Sequence, residues 1–62
     1  MKELATKFIG QTCTIYSFDS SKTYKGVIKE VTDGAILLQK DNKTEVLNID
    51  FISRIKVTEQ QG

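Results

Sequence analysis

Three aromatic side chains interspersed with lysines are the residues of this sequence best suited to recognise a ligand. The aromatics are Tyr16, Phe18 and Tyr24, and the lysines are Lys22, Lys25 and Lys29. Exposed aromatics stack on unpaired bases and cations contact phosphates, so this pattern is typical of a single-stranded nucleic-acid site. The alternative interpretation places the aromatics in a core or an interface and leaves the lysines solvated at the surface.

Four basic residues fall on outward-facing positions if the chain forms strands, because side chains alternate along a strand. They are Lys25, Lys29, Arg54 and Lys56. A patch of this kind is able to follow a phosphate backbone. Glu30, Glu45 and Asp50 are interspersed with them in the sequence, which favours an ordinary solvated face.

The remaining ionisable residues do not form the sets that catalysis or metal binding requires. The chain has no histidine and a single cysteine, Cys13, so a thiolate–imidazole metal site and a histidine-activated nucleophile are both excluded. Asp33 and Asp41 fall in predicted turns, whose chemistry explains them. We therefore predict no enzyme activity, no cofactor and no metal. Cys13 is interpreted as a small buried hydrophobe, although an exposed thiol of low pKa would be a redox sensor.

Length and composition limit the architecture to one domain over residues 1–62. A domain this small buries only about 60% of the surface of its unfolded chain, so it often needs disulfides, a metal or self-association. With the first two excluded, a homo-oligomer is predicted. The net charge of +1 lacks the strong basic excess of a stand-alone nucleic-acid binder. The chain has no apolar run of membrane-spanning length and no signal peptide, and its cysteine is unpaired, so we predict a cytoplasmic protein without membrane contact.

The elements that must position these residues are one helix and five short strands. A helix is predicted within residues 1–10, ending at a Gly10 C-cap, with Leu4, Phe8 and Ile9 docked on the sheet. Gly26 inside the second strand predicts a bend or a close backbone approach, and Gly34 is predicted to supply a positive φ in a hairpin turn. The strands are predicted at 11–18, 23–31, 35–40, 44–49 and 54–58, followed by a frayed tail at 59–62.

The order of these elements resembles the Sm-like (LSm/Hfq-like) family and the Sm-like C-terminal domain of bacterial ribosome maturation factors. The resemblance rests on small and apolar residues over most of the chain. They are Thr14-Ile15-Tyr16, Gly26 with Ile28, Ile36-Leu37-Leu38, Val46, and Ile52-Ser53. The resemblance implies a mainly β fold, a five-stranded bent antiparallel Sm-like barrel with a short N-terminal helix.

The resemblance also implies where ligands and copies of the chain would bind. Tyr16 matches a family tyrosine that contacts RNA. Lys25 and Lys29, which lie near the aromatics in sequence, are predicted as phosphate contacts on the face that carries Tyr16. Gly34 stands where the family has a stacking aromatic, and Asn48-Ile49-Asp50 replaces its pore donors, so a pore-type site is not expected. In Sm-like rings strand four pairs with strand five of the next subunit, and the interface residues predicted here are Leu47, Ile49, Arg54 and Lys56.

Two functional hypotheses follow from the sequence. The first is a non-catalytic, oligomer-forming Sm-like binding module for single-stranded RNA. The second is a protein-interaction or scaffold module with the same fold that has lost the RNA site. Aromatic and basic residues converging on one open face would favour the first hypothesis.

Overall fold

Five antiparallel strands follow one short helix in the computed structural model, which describes residues 2–19 and 22–58. The elements are α1 (Lys2–Thr6), β1 (Thr12–Ser17), β2 (Thr23–Val31), β3 (Ala35–Lys40), β4 (Lys43–Asn48), a 3-10 helix (Ile49–Phe51) and β5 (Ile52–Val57). The mainly β fold with one N-terminal helix is thereby confirmed. The predicted tail at 59–62 and part of the predicted turn after β1 lie outside the described residues.

All five strands belong to one sheet, in the order β4-β3-β2-β1-β5. No ladder joins β4 to β5 within the described residues, so the predicted closure into a barrel is wrong and the sheet is open. The 3-10 helix that connects these two edges bonds to the ends of other elements. Ile49 N donates to Gly34 O, and Phe18 N donates to Phe51 O. These bonds attach the connection to the ends of β1 and of the β2–β3 turn, and β4 and β5 do not pair with each other.

The core lies on one side of the sheet and follows the alternation of the strands. Cys13 and Ile15 of β1 are fully buried, while Thr12, Thr14 and Tyr16, which alternate with them, are only half-buried. The burial of Cys13 agrees with its interpretation as a small buried hydrophobe. The buried residues are Ala5, Cys13, Ile15, Ile28, Ile36, Leu38, Ile49 and Ile52.

The N-terminal helix covers the sheet with a different set of side chains from the one predicted. Ala5 is fully buried and Phe8 packs against the core, but Leu4 is 57% exposed and Ile9 is 44% exposed. The α-helix ends at Thr6, so the helical spacing that would place Ile9 beside Ala5 does not extend that far. The predicted C-cap at Gly10 is wrong, because α1 ends at Thr6 and the Gly10 N–H donates to Ile28 O of β2 at 2.8 Å. Gly10 has φ 92° and instead lies in the turn that leads to β1.

The turn between β2 and β3 is closed by a threonine side chain. Thr32 Oγ1 accepts from Ala35 N at 3.1 Å, and Thr32 N donates to Ala35 O at 2.9 Å. Gly10 is the only glycine with a positive φ in the part of the chain that the structure describes, so the positive φ predicted for Gly34 is wrong. The hydroxyl of Thr32 orders the turn instead.

An exposed ion pair links α1 to the same turn. Lys2 Nζ lies 2.8 Å from Asp33 Oδ1. The hydrogen bond and the opposite charge raise the pKa of Lys2 and lower the pKa of Asp33. The stabilisation that depends on the Asp33 carboxylate is therefore lost as the pH falls through its lowered pKa. The stabilisation that depends on the Lys2 ammonium group is lost as the pH rises through its raised pKa. Because both side chains are exposed, the pair adds little to stability.

Gly26 permits a close approach between β2 and β3. A Cβ atom at this position would lie 2.6 Å from Gln39 O and 3.1 Å from Leu38 Cγ. This confirms the predicted close approach. The irregularity in the ladder falls slightly later, between Ile28 and Glu30, where Lys29 is the additional residue.

Replacing Gly26 by Val is expected to lower the free energy of unfolding by about 1–3 kcal/mol, because the new side chain must displace backbone rather than a flexible side chain. The measurement is urea denaturation followed by circular dichroism. Gly34→Ala is the matched control. A Cβ atom at Gly34 meets nothing within 4 Å, so its midpoint should stay the same or rise slightly. Equal midpoints for the two variants would contradict this account of Gly26.

Candidate functional site

The outward side of β1, β2 and β5 carries several of the residues predicted to bind a ligand. Thr14 of β1 pairs with Lys25 of β2 and with Lys56 of β5. Tyr16, two residues further along the same side of β1, pairs with Arg54 of β5. Directly opposed residues in antiparallel strands project to the same side of a sheet. Tyr16, Lys25, Arg54 and Lys56 therefore share one surface, which we call the cationic face.

Arg54 and Tyr16 make a direct contact on the cationic face. The Arg54 Cζ atom lies 4.3 Å from the centroid of the Tyr16 ring, within the range of a cation–π interaction. The β1–β5 ladder is irregular next to this pair, and Ser53 Oγ lies within hydrogen-bonding distance of Tyr16 O at 3.3 Å and Ser17 O at 3.2 Å. The hydroxyl thus fixes the β5 backbone immediately before Arg54.

The acidic residues that alternate with these cations in the sequence lie elsewhere in the structure. No Asp or Glu occupies a paired outward position of β1, β2 or β5 among the described residues. Glu30 lies beyond the β2 irregularity, opposite Leu37, and Glu45 lies on β4. Asp50 is in the 3-10 helix, and Asp41 follows β3 in a turn. The fold therefore segregates charges that the sequence intersperses.

The structure brings together only part of the predicted RNA-binding set. Tyr16 and Lys25 share the cationic face, but Lys29 is four residues further along β2, about 13 Å away at the rise of a strand. Of the other aromatics, Tyr24 pairs with Ile15 and packs against the core, and Phe18 is 67% exposed beyond the end of β1. A three-aromatic platform is therefore not formed, and Tyr24 follows the alternative interpretation.

The residues predicted for an oligomer interface separate into two groups. Leu47 is half-buried against the core and Ile49 is buried within it. Arg54 and Lys56 are exposed on the edge strand β5, where they complete the cationic face. The contact between Arg54 and Tyr16 was not predicted, because the two residues are far apart in sequence and the pairing of β1 with β5 leaves no local pattern.

An apolar groove lies where the sheet fails to close. Its volume is about 580 Å³, and its lining includes the inward-facing Ile15, Tyr24, Leu47 and Ile52. The exposed large apolar side chains at the groove are Phe18, Val46 and Phe51, which are 65–67% exposed. The β4 side of this groove is an edge strand whose residues are exposed except for the half-buried Leu47.

A match to a protein family covers most of the chain. A family profile described as a domain of unknown function, DUF6897, matches residues 2–57. The chain belongs to this family. The matched DUF6897 segment begins at the first residue of α1 and ends at the last residue of β5, so it coincides with the complete set of elements described above. No curated protein matches the sequence significantly.

The described residues of this DUF6897 domain do not contain a group of three or more His, Cys, Asp or Glu side chains able to hold a metal ion. In the same part of the chain no helix is long and apolar enough to cross a membrane. Asp33 and Asp41 lie in separate turns, and Asp50 lies in the 3-10 helix.

The single thiol of the DUF6897 domain is sequestered in the core. Cys13 is fully buried, and its Sγ lies 3.6 Å from Gln11 O. Burial raises the pKa of this thiol, which disfavours the reactive thiolate. These observations favour the interpretation of Cys13 as a core residue over that of an exposed redox sensor.

Cys13 is expected to react with a thiol-specific reagent only when the domain opens. We expect slow labelling of the folded protein at mildly alkaline pH and fast labelling in denaturant, because the thiolate must reach solvent to react. The measurement is the absorbance change of an aromatic disulfide reagent over time. The control is a short peptide of residues 11–15, which has the same thiol without the fold. Equal rates for folded protein and peptide would contradict the burial of Cys13.

Proposed function

We propose that this chain is a non-catalytic Sm-like binding module that binds single-stranded RNA on the cationic face and assembles with copies of itself in the cytoplasm. The observation that supports RNA binding is the cationic face itself. Three basic side chains from two strands surround Thr14 and Tyr16, and no acidic side chain occupies the paired positions between them in the described sheet.

Electrostatics on this face would supply affinity without a large net charge. The chain as a whole has a net charge of +1, but the local charge is set by Lys25, Arg54 and Lys56. Each cation that neutralises a phosphate releases counterions, so binding to a single strand weakens with salt by a slope of about 0.7 per contact. Three contacts per subunit correspond to a slope of about 2. Repetition of the face in an oligomer would multiply weak single sites.

Self-assembly is supported by the two unpaired edges of the open sheet. An edge strand presents backbone donors and acceptors that a second chain can pair with. The β4 edge also exposes Val46 beside the apolar groove, and the core of the single chain contains few residues. By resemblance to Sm-like rings, β4 of one copy would pair with β5 of the next. Such pairing would leave the outward-facing side chains of β5 accessible.

Lys25→Ala is expected to weaken RNA binding and to reduce the salt slope by about 1, because one phosphate contact is removed. The measurement is fluorescence anisotropy of a labelled, unstructured RNA titrated with protein at several salt concentrations. Lys29→Ala is the matched control, since it removes the same charge from an exposed position about 13 Å further along the same strand. Failure of the unaltered protein to bind at low salt would end the RNA proposal. If the two variants weaken RNA binding equally, the cationic face is not the RNA site.

Val46→Asp is expected to disrupt the assembly while leaving the fold intact, because it places a charge on an exposed edge strand. The measurement is sedimentation velocity combined with circular dichroism. Leu4→Asp is the control, with a similarly exposed apolar residue on α1. Ile49→Glu should instead unfold the chain, since Ile49 is buried. A 7.0 kDa monomer at high concentration of the unaltered protein would contradict self-assembly.

A protein-interaction module is the second candidate function, and the apolar groove is the observation that favours it. Phe18, Val46 and Phe51 are large apolar residues exposed around one opening. Clustered apolar exposure of this kind is typical of surfaces that another chain covers. Stable assembly without RNA binding at low salt would favour this candidate over the first.

A further inference from the structure

The stacked pair on the cationic face leads to an inference about how a nucleic acid is recognised there. We infer that a nucleobase stacks on the guanidinium of Arg54 rather than on the ring of Tyr16, and that Tyr16 acts as the positioning residue that holds Arg54 in place. The ligand class that follows is single-stranded nucleic acid with accessible bases. This inference rests on the proposed RNA-binding function and assigns the contact within that site.

The ring of Tyr16 is not free to receive a base on the side where Arg54 lies. With Cζ 4.3 Å from the ring centroid, the guanidinium occupies the space over that face in which a stacked base would sit. Tyr16 is also half-buried, because it belongs to β1, which has a neighbouring strand on each side. Arg54 is exposed on the edge strand β5 and is the more accessible member of the pair.

A guanidinium has the chemistry that this position requires. It is planar and delocalised, is weakly hydrated for a cation, and stacks both on aromatic side chains and on nucleobases. Contact with Tyr16 through one side leaves the rest of the group exposed to a ligand. The same group also remains positively charged near the phosphates, so Arg54 combines stacking with charge.

The backbone around the pair limits the freedom of Arg54. Arg54 lies directly opposite Tyr16 in the β1–β5 ladder, and the Ser53 hydroxyl lies within hydrogen-bonding distance of Tyr16 O and Ser17 O just before it. A side chain held in its binding orientation loses less conformational entropy when the ligand arrives. Tyr16 therefore contributes to binding through Arg54, without having to contact the ligand.

The lysines determine which part of the ligand lies beside the stacked base. Lys25 and Lys56 lie on either side of Thr14, two residues from Tyr16 along β1, or about 7 Å at the rise of a strand. This distance allows them to contact the sugar–phosphate backbone next to a base on Arg54. Stacking needs an exposed base face, so the site should prefer unpaired strands to duplexes, with little dependence on sequence.

The test uses the full chain, a labelled unstructured pyrimidine-rich RNA, and inorganic polyphosphate as a polyanion without bases. Arg54→Lys retains the charge but removes the plane. It should weaken RNA binding about tenfold, within the range measured for loss of one base stack, and leave the salt slope and the affinity for polyphosphate unchanged. Tyr16→Phe keeps the ring that holds Arg54, so it should retain the RNA affinity that is lost when the ring is removed.

Two further variants separate positioning from direct contact. Tyr16→Ala should lose about as much RNA affinity as Arg54→Lys, and the double variant should lose little more than either single variant, because both changes remove one stacked unit. Unfolding midpoints close to that of the unaltered protein show that the fold is retained. A large loss for Tyr16→Ala with none for Arg54→Lys would place the base on the tyrosine and overturn the inference. If the unaltered protein binds RNA but Arg54→Lys has no effect, only the inference fails, whereas no binding by the unaltered protein removes the proposed function as well.

Discussion

The close approach of the β2 and β3 backbones at Gly26 is the constraint on which the rest of this structure depends. The inner surface of β2 at this point is filled by Gln39 and Leu38 of β3 and has no room for a side chain. This approach brings Ile28, Ile36 and Leu38 together as the centre of a core that contains few other residues. The adjacent ladders then place β1 beside β2, and β5 beside β1. The cationic face and the groove both depend on this sequence of contacts.

Local patterns predicted the elements near this centre better than those at the edges. The bounds predicted for the second and third strands agree with β2 (Thr23–Val31) and β3 (Ala35–Lys40), because alternation and turn residues define both. The helix is shorter than its apolar spacing predicted, since Ala5 occupies the buried position and Leu4 faces solvent. Barrel closure was not correctly predicted, because pairing between β4 and β5 is a property of long-range geometry and has no local signal.

The candidate site shows the same division between local and long-range information. Alternation along β1 separates Tyr16 from the buried Cys13 and Ile15, and the β1–β2 ladder places Lys25 opposite Thr14 on the same side as Tyr16. The contact of Arg54 with Tyr16 could not be predicted, because it requires the register between two strands at opposite ends of the chain. The separation of the acidic residues from the cationic face also depends on how distant strands pair. A charge pattern that is mixed along a sequence can thus be segregated on a surface by strand order alone.

The pairing of β1 with β5 has a consequence for the order of events during folding. Cys13 pairs with Val57 at one end of this ladder, whereas β2–β3 and β3–β4 are joined by short turns. Because closing a longer loop costs more entropy, the hairpins can form early and the β1–β5 ladder must form late. Slow amide hydrogen exchange should accordingly be centred on β2 and β3, with β5 among the first strands to open. A ligand held by Arg54 and Lys56 would then slow exchange in β5 first, because it would bind only the state in which that strand is docked.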